Sequence, residues 1–345
     1  MRIATLMAAC VLVGWGGASS TVNPLTPTRI IAFGDAFSTV DLNGYANFSV
    51  KSTSTDATVA SRIATIYGFT LYDYSSLSSA TAVVPSGTAI SYAYGTATAG
   101  TTNATYNVTS QITAYLTNNT PGSKDLFIIT AGTQDIVTAA SNNYTTAVAK
   151  AAVATAASTL ATQIQRLTDA GAEYVLVMQP INVARTPPFL AASGVRPVGG
   201  HASYNSLAQA LSYDSETSCE SFSCLLTTKL NTAFPATTSH QPVLLVDLMS
   251  YFNLITGTNI SLYPTGNANT FGTYGVTNPD LVTCSTAVPS CTTSTLATTS
   301  TNQYTSTAWT YATSVFAYDY YTTPYANQLM GSYIYNYNFY RAGWR

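Results

Sequence analysis

The sequence predicts an α/β fold in which helices cover a parallel sheet, and three observations carry that expectation. Short apolar runs of strand length alternate along the chain with stretches of helical spacing. No Pro/Gly/Ser linker or charge run divides the 345 residues, so a single domain is expected over 21–345. Apolar residues make up 46% of the chain, enough for a substantial core.

Taken in order, Arg29-Ile30-Ile31-Ala32-Phe33 is the first strand candidate, and Gly34-Asp35 comes directly after it. Leu126 to Thr130 is another, ending at Ala131-Gly132. Between Ala147 and Asp169 an alanine-rich stretch sets Leu160, Ile164 and Leu167 at helical spacing, and Gly171 stands where a helix stops. Tyr174-Val175-Leu176-Val177-Met178 has the composition of a buried strand, and Val243-Leu244-Leu245-Val246-Asp247 is the last clear one. From about 256 to 307 the chain turns Thr/Ser/Asn/Gly-rich with little periodicity, which predicts a loop-rich excursion pinned by Cys284 and Cys291. Gln328 to Tyr335 then has the apolar spacing of a closing helix. No internal repeat of fixed period is present.

The first 20 residues have the features of a secretion signal: the charge at Arg2, an apolar stretch from Ile3 to Val13, and small residues from Gly16 to Ser20. That stretch falls short of the ~20 apolar residues a membrane span needs, so export to the periplasm or beyond is expected, without a transmembrane segment. Charged residues are only 8%, against about 25% in an average soluble protein, so hydroxyls, amides and 25 tyrosines must solvate the surface. A formal charge of -2 offers nucleic acid no attraction. Asn-x-Ser/Thr triplets occur at the frequency so much Asn and Thr produces by chance.

Loss of a signal removes Cys10 and leaves Cys219, Cys224, Cys284 and Cys291. Four cysteines allow three pairings; two small loops, Cys219/Cys224 and Cys284/Cys291, are the simple one in an oxidising compartment. The spacings, with only His201 and His240 in the chain, disfavour zinc, and neither a metal nor another cofactor is expected.

In open α/β sheets ligands gather at the carboxyl ends of strands, and those positions carry a pattern. Gly34-Asp35-Ala36-Phe37-Ser38 resembles the Gly-Asp-Ser-Leu-Ser block of the GDSL (SGNH) esterases. Ser91-Tyr92-Ala93-Tyr94-Gly95-Thr96-Ala97 is similar to their Asn-Tyr-Ala-x-Gly-Gly-Ala block, and Gly132-Thr133-Gln134-Asp135 to their Gly-x-Asn-Asp. Ala170 to Val177 resembles the family's middle strand, with Arg185-Thr186-Pro187 in the loop beyond it. Tyr274 to Asn278 and Thr323 to Leu329 are similar to its C-terminal segments. The resemblance runs in family order from about 29 to 345 and implies a three-layer α/β/α sandwich with a mainly parallel, flavodoxin-like sheet.

It also implies acyl transfer by a serine, a histidine and an aspartate, with glycine and asparagine donors holding the oxyanion. Here the residues depart from that set. Ala36 stands at the serine position, Gly95 is kept, and Gln134 replaces the asparagine. The final Asp-x-x-His-Pro-Thr block fits in two registers. Anchored on Asp319, it puts Thr322 at the histidine; anchored on Phe316-Ala317 and Pro324, it puts Tyr321 there and Tyr318 at the aspartate. Neither supplies a histidine, and His201 and His240 fall outside every block. Ser38, two positions past the nucleophile site, is expected to point elsewhere and bond locally. Asp35 and Asp135 are expected as structural acceptors, and Asp247 as the cap of the segment after its strand.

The resulting expectation is an exported, catalytically inactive relative of these esterases that binds, adheres or self-assembles, its partners being copies of itself or cell-surface polysaccharide. The tyrosines from Tyr318 to Tyr340 are suited to stacking on sugars or, equally, to packing an aromatic helix on the sheet. The alternative is a secreted esterase or lipase with a non-standard nucleophile.

Overall fold

The computed structural model of the protein describes residues 24–77, 82–100, 106–141, 146–189, 206–213, 219–235, 241–257, 273–296 and 311–345. The expected signal segment, His201 and His240 lie outside them.

Six strands form the main sheet: β1 (Arg29–Gly34), β2 (Leu71–Asp73), β3 (Ala89–Ser91), β4 (Asp125–Thr130), β5 (Tyr174–Met178) and β6 (Val243–Val246). Their order is β2-β3-β1-β4-β5-β6, and every neighbouring pair is parallel. With the short edge strand β2 set aside, this is the flavodoxin-like order. The long central strands are buried on both faces, which is why they read as unbroken apolar runs.

Side chains alternate across the sheet into two cores. Ile31, Phe33, Phe127, Ile129, Val175 and Val177 meet α2 (Val108–Asn118), α3 (Thr133–Ser141), α4 (Thr146–Asp169), α5 (Ser206–Ser212) and α6 (Phe222–Ala233) on one face. Ile30, Ala32, Leu126, Ile128, Leu176 and Met178 meet α1 (Val59–Ile66), α7 (Leu248–Ile255) and α8 (Pro324–Tyr333) on the other. The result is three layers. Helix ends obey local chemistry: Asn107 caps α2, Asp247 caps α7, and Thr323 caps α8 with Pro324 in its first turn. Gly171, at φ +107°, takes the left-handed turn that ends α4.

A second, three-stranded sheet sits beside the α8 face. β7 (Asn278–Val282) pairs parallel with β8 (Ser314–Tyr318), which turns back on β9 (Tyr321–Thr322) through Asp319, whose φ is +48°. β7 falls inside the stretch expected to be loop-rich. Its Asn-Pro-Asp sequence has no alternation, and only pairing with β8 makes it a strand. The cysteines pair as Cys219–Cys224 and Cys284–Cys291. The second bridge is buried with Val50 and Ala317 in a small third core, which fastens the excursion to the second sheet. By loop length each bridge contributes about 2 kcal/mol in the chain-entropy description.

The C-terminal tyrosines differ in burial, and some of them pack an aromatic helix on the sheet. Tyr333 stacks on Tyr251 with ring centroids 4.1 Å apart, and Ile334 and Phe339 are buried. Tyr337 and Tyr340 are exposed, Tyr337 under the Arg341 guanidinium. Among the described residues no helix is long and apolar enough to cross a membrane.

Candidate active site

β1 lies between β3 and β4, so the chain leaves β1 for one side of the sheet and later returns to the other. The crevice this opens at the carboxyl ends is where such sheets bind ligands. Three segments line it: Asp35-Ala36-Phe37 after β1, Gly95 after β3, and Thr133-Gln134 at the start of α3 after β4. The β8–β9 turn closes it from above with Tyr320, Tyr321 and Thr322, and Phe48 completes the wall.

The structure thus brings Ala36, Gly95, Gln134, Tyr321 and Thr322 to one pocket, while Asp319 stays in the turn outside its lining. Both candidates for the histidine position are at the pocket, and neither has an imidazole. The cavity left among these side chains measures about 10 Å³, space for about one water molecule. Two aromatic groups account for this. The Phe48 ring presses on Gly95 so closely that a Cβ there would stand 2.1 Å from it. Tyr321, buried, packs against Phe48 with centroids 5.4 Å apart and against Tyr320 at 4.4 Å.

The amide of Gln134 is committed at both ends. Its Oε1 accepts from the Tyr320 hydroxyl at 2.7 Å, and its Nε2 donates to Thr138 Oγ1 at 3.2 Å, one turn along α3. The extra methylene relative to asparagine gives the side chain that reach. One of the two Nε2 N–H groups is thereby spent inside the fold.

Neighbouring polar groups are tied into the scaffold. Ser38 is fully buried, its Oγ 3.0 Å from Thr130 Oγ1, and its carbonyl accepts from Ser91 Oγ at 2.7 Å. Asp35 Oδ1 accepts from the Phe37 amide at 3.2 Å, and Asp135 Oδ2 from the Ala99 amide at 2.8 Å. Thr322 Oγ1 donates to Asn327 Oδ1 at 2.6 Å. Asp247, by contrast, lies at the far side of the sheet and caps α7 through the Ser250 amide.

Burial raises the Asp35 carboxyl to about 7 and the Asp135 carboxyl to about 6, outweighing the hydrogen bonds that lower them. Burial also raises Tyr320 and Tyr321 above the ordinary phenol value, so both stay protonated at neutral pH. Since an unfolded aspartate titrates near ~3.9, the folded protein binds protons the unfolded chain has released between about pH 4 and 7. Stability should therefore fall as pH rises through that window and level off above it. Asp35→Asn keeps the acceptor for Phe37 but cannot ionise. It is expected to melt with the parent at pH 4 and to be more stable by on the order of 2–4 kcal/mol at pH 8, read as Tm at the two pH values.

What the sequence did not reveal was the filling of the crevice. Phe48 belongs to no motif block, and Tyr320 is aligned with a catalytic position in neither register; the run of aromatic residues Tyr318, Tyr320 and Tyr321 was the available signal. Among the described residues no group of three His, Cys, Asp or Glu is placed to hold a metal ion. A family model described as GDSL-like lipase/acylhydrolase matches residues 30–237, more than half of the chain. The match includes the Ala36, Gly95 and Gln134 positions and ends before the β8–β9 turn. No curated protein matches the chain.

Proposed function

The chain belongs to the GDSL-like lipase/acylhydrolase family, and we propose that within it the protein is a catalytically inactive, exported member that works as a binding, adhesive or self-assembling structural protein. One observation carries this reading: the crevice that serves chemistry in such sheets holds an alanine at the nucleophile position and is packed nearly solid. Tyr320 and Tyr321 occupy the space an acyl group would need, and the Gln134 amide is bound internally. Export is supported by the N-terminal apolar stretch and small residues, by two disulfides, and by a chain with only 8% charged residues. A surface so poor in charge lets copies, or a polysaccharide, approach without repulsion.

Family membership by itself favours the other reading, a secreted esterase with a substitute nucleophile. The hydroxyls lining the pocket are then the ones to suspect: Thr322, engaged with Asn327, and Thr133, whose buried hydroxyl has no partner among the described residues. A fluorophosphonate probe separates the two. The inactive reading expects no labelling under conditions that fully label an active esterase of the family, and stoichiometric labelling would overturn it.

A further inference from the structure

A second crevice opens at the carboxyl ends of β5 and β6, where Gln179 comes directly after one strand and Asp247 after the other. Its cavity measures about 320 Å³, against about 10 Å³ at the family site, and so falls at the small end of ligand pockets. We propose that this crevice is a ligand site of the protein and that it takes a neutral sugar unit. The proposal deepens the reading of the chain as a binding protein and rests on it.

The lining has the chemistry such a ligand requires. Tyr213, directly after α5, is 48% exposed and offers a ring face that an apolar sugar face can cover. Gln179 donates through Nε2 to Thr227 Oγ1 at 2.9 Å, and Thr227 in turn donates to the Ser223 carbonyl at 2.7 Å. This chain fixes the amide and leaves Gln179 Oε1 as an oriented acceptor. The Asp247 carboxylate, whose oxygens accept from the Ser250 amide and hydroxyl, keeps further lone pairs as a second acceptor for ligand hydroxyls. Ser223, in the wall, has a buried hydroxyl with no partner among the described residues. Met249 and the Cys219–Cys224 bridge supply the apolar part. Aromatic face, paired acceptors and hydroxyls on a rigid support match the alternating apolar faces and hydroxyl rim of a pyranose.

Charge narrows the class. The N-termini of α6 and α7 both open on this crevice, but Ser221 and Asp247 already cap them through the amides of Cys224 and Ser250. Among the described residues no lysine or arginine lines the cavity, and the one charged lining group is Asp247, so an anionic ligand is repelled. The bridge from Cys219 to Cys224 ties the chain entering α6 to that helix's first turn and so holds one wall in place.

The test is saturation-transfer NMR on the full mature chain with cellobiose, chitobiose, mannobiose and xylobiose, with digalacturonic acid as the anionic control. Transfer to at least one neutral disaccharide and none to the acid is expected. Tyr213→Ala, a surface change that leaves the core intact, should weaken that binding about three- to tenfold, and Asp247→Asn, which keeps the cap, should weaken it as well. Absence of transfer from all four, transfer to the acid, or affinity unchanged in both variants would overturn the site. Ester hydrolysis is a separate readout: its appearance would sink the inactive reading, whereas a failed sugar experiment beside absent hydrolysis sinks this site alone.

Discussion

p-Nitrophenyl acetate is expected to be hydrolysed by the protein at the rate of a buffer blank, about a millionfold below an active esterase of the family in turnover. Loss of the serine or the histidine from such a catalytic unit is alone sufficient for that deficit, and among the described residues neither type lines the pocket. The residual rate such variants usually keep comes from the oxyanion site and substrate binding. Both are reduced here: one Gln134 N–H is spent on Thr138 and its carbonyl on Tyr320, and the pocket leaves space for about one water molecule. For the same reason Ala36→Ser is expected to stay at the blank, since a serine placed there meets a protonated phenol at Tyr321 instead of a base. Hydrolysis by the parent chain would overturn the inactive reading. Hydrolysis gained only by Ala36→Ser would point to Asp35, whose carboxyl near 7 makes it the group able to take a proton, and would show that the crevice opens in solution.

Gly34→Ala is expected to abolish folding. Gly34 ends the central strand β1 at φ +121°, and a Cβ built there would lie 1.7 Å from the carbonyl oxygen of Thr130 in β4. That oxygen cannot retreat, because it is held by the Asp35 amide at 2.8 Å within a strand pair that runs the length of the sheet. A contact so short, with backbone on the other side, exceeds the range of ordinary substitutions and rivals the ~5–15 kcal/mol total stability of a domain. Gly68→Ala provides the control. Gly68 also has a positive φ, +82°, but nothing lies within 4 Å of its Cβ position, so only the conformational cost of about 1–2 kcal/mol remains. Loss of cooperative unfolding by circular dichroism in the first, with a modest fall in Tm in the second, is the expected pair; a folded Gly34→Ala would contradict the packing at the end of β1.

Three of the strands that proved legible are buried on both faces: β1, β4 and β5 read as apolar runs because the central part of a parallel sheet tolerates little else. β6, the edge strand, is only partly buried and was legible from its Val-Leu-Leu-Val composition alone. β2 and β3 were not legible, at three residues each, and β7 was not, because its polar sequence becomes a strand only by pairing with β8. Motif positions were legible for a related reason: Ala36, Gly95 and Gln134 each come after a strand of the sheet, so their convergence is a property of the fold class itself.

By itself, then, the sequence determined the layered α/β architecture, the family's motif order, and the chemical identity of each motif position, an alanine with no nucleophilic atom among them. Tertiary structure alone decided which of three cysteine pairings forms and what fills the crevice. The hydrogen bond from Tyr320 to Gln134 joins residues 186 positions apart, and Phe48 reaches Gly95 from outside any motif. Such contacts depend on where the β8–β9 turn lands on the sheet. That position is set by packing of the whole second sheet against α8 and the third core, a sum over many distant side chains that no local pattern encodes.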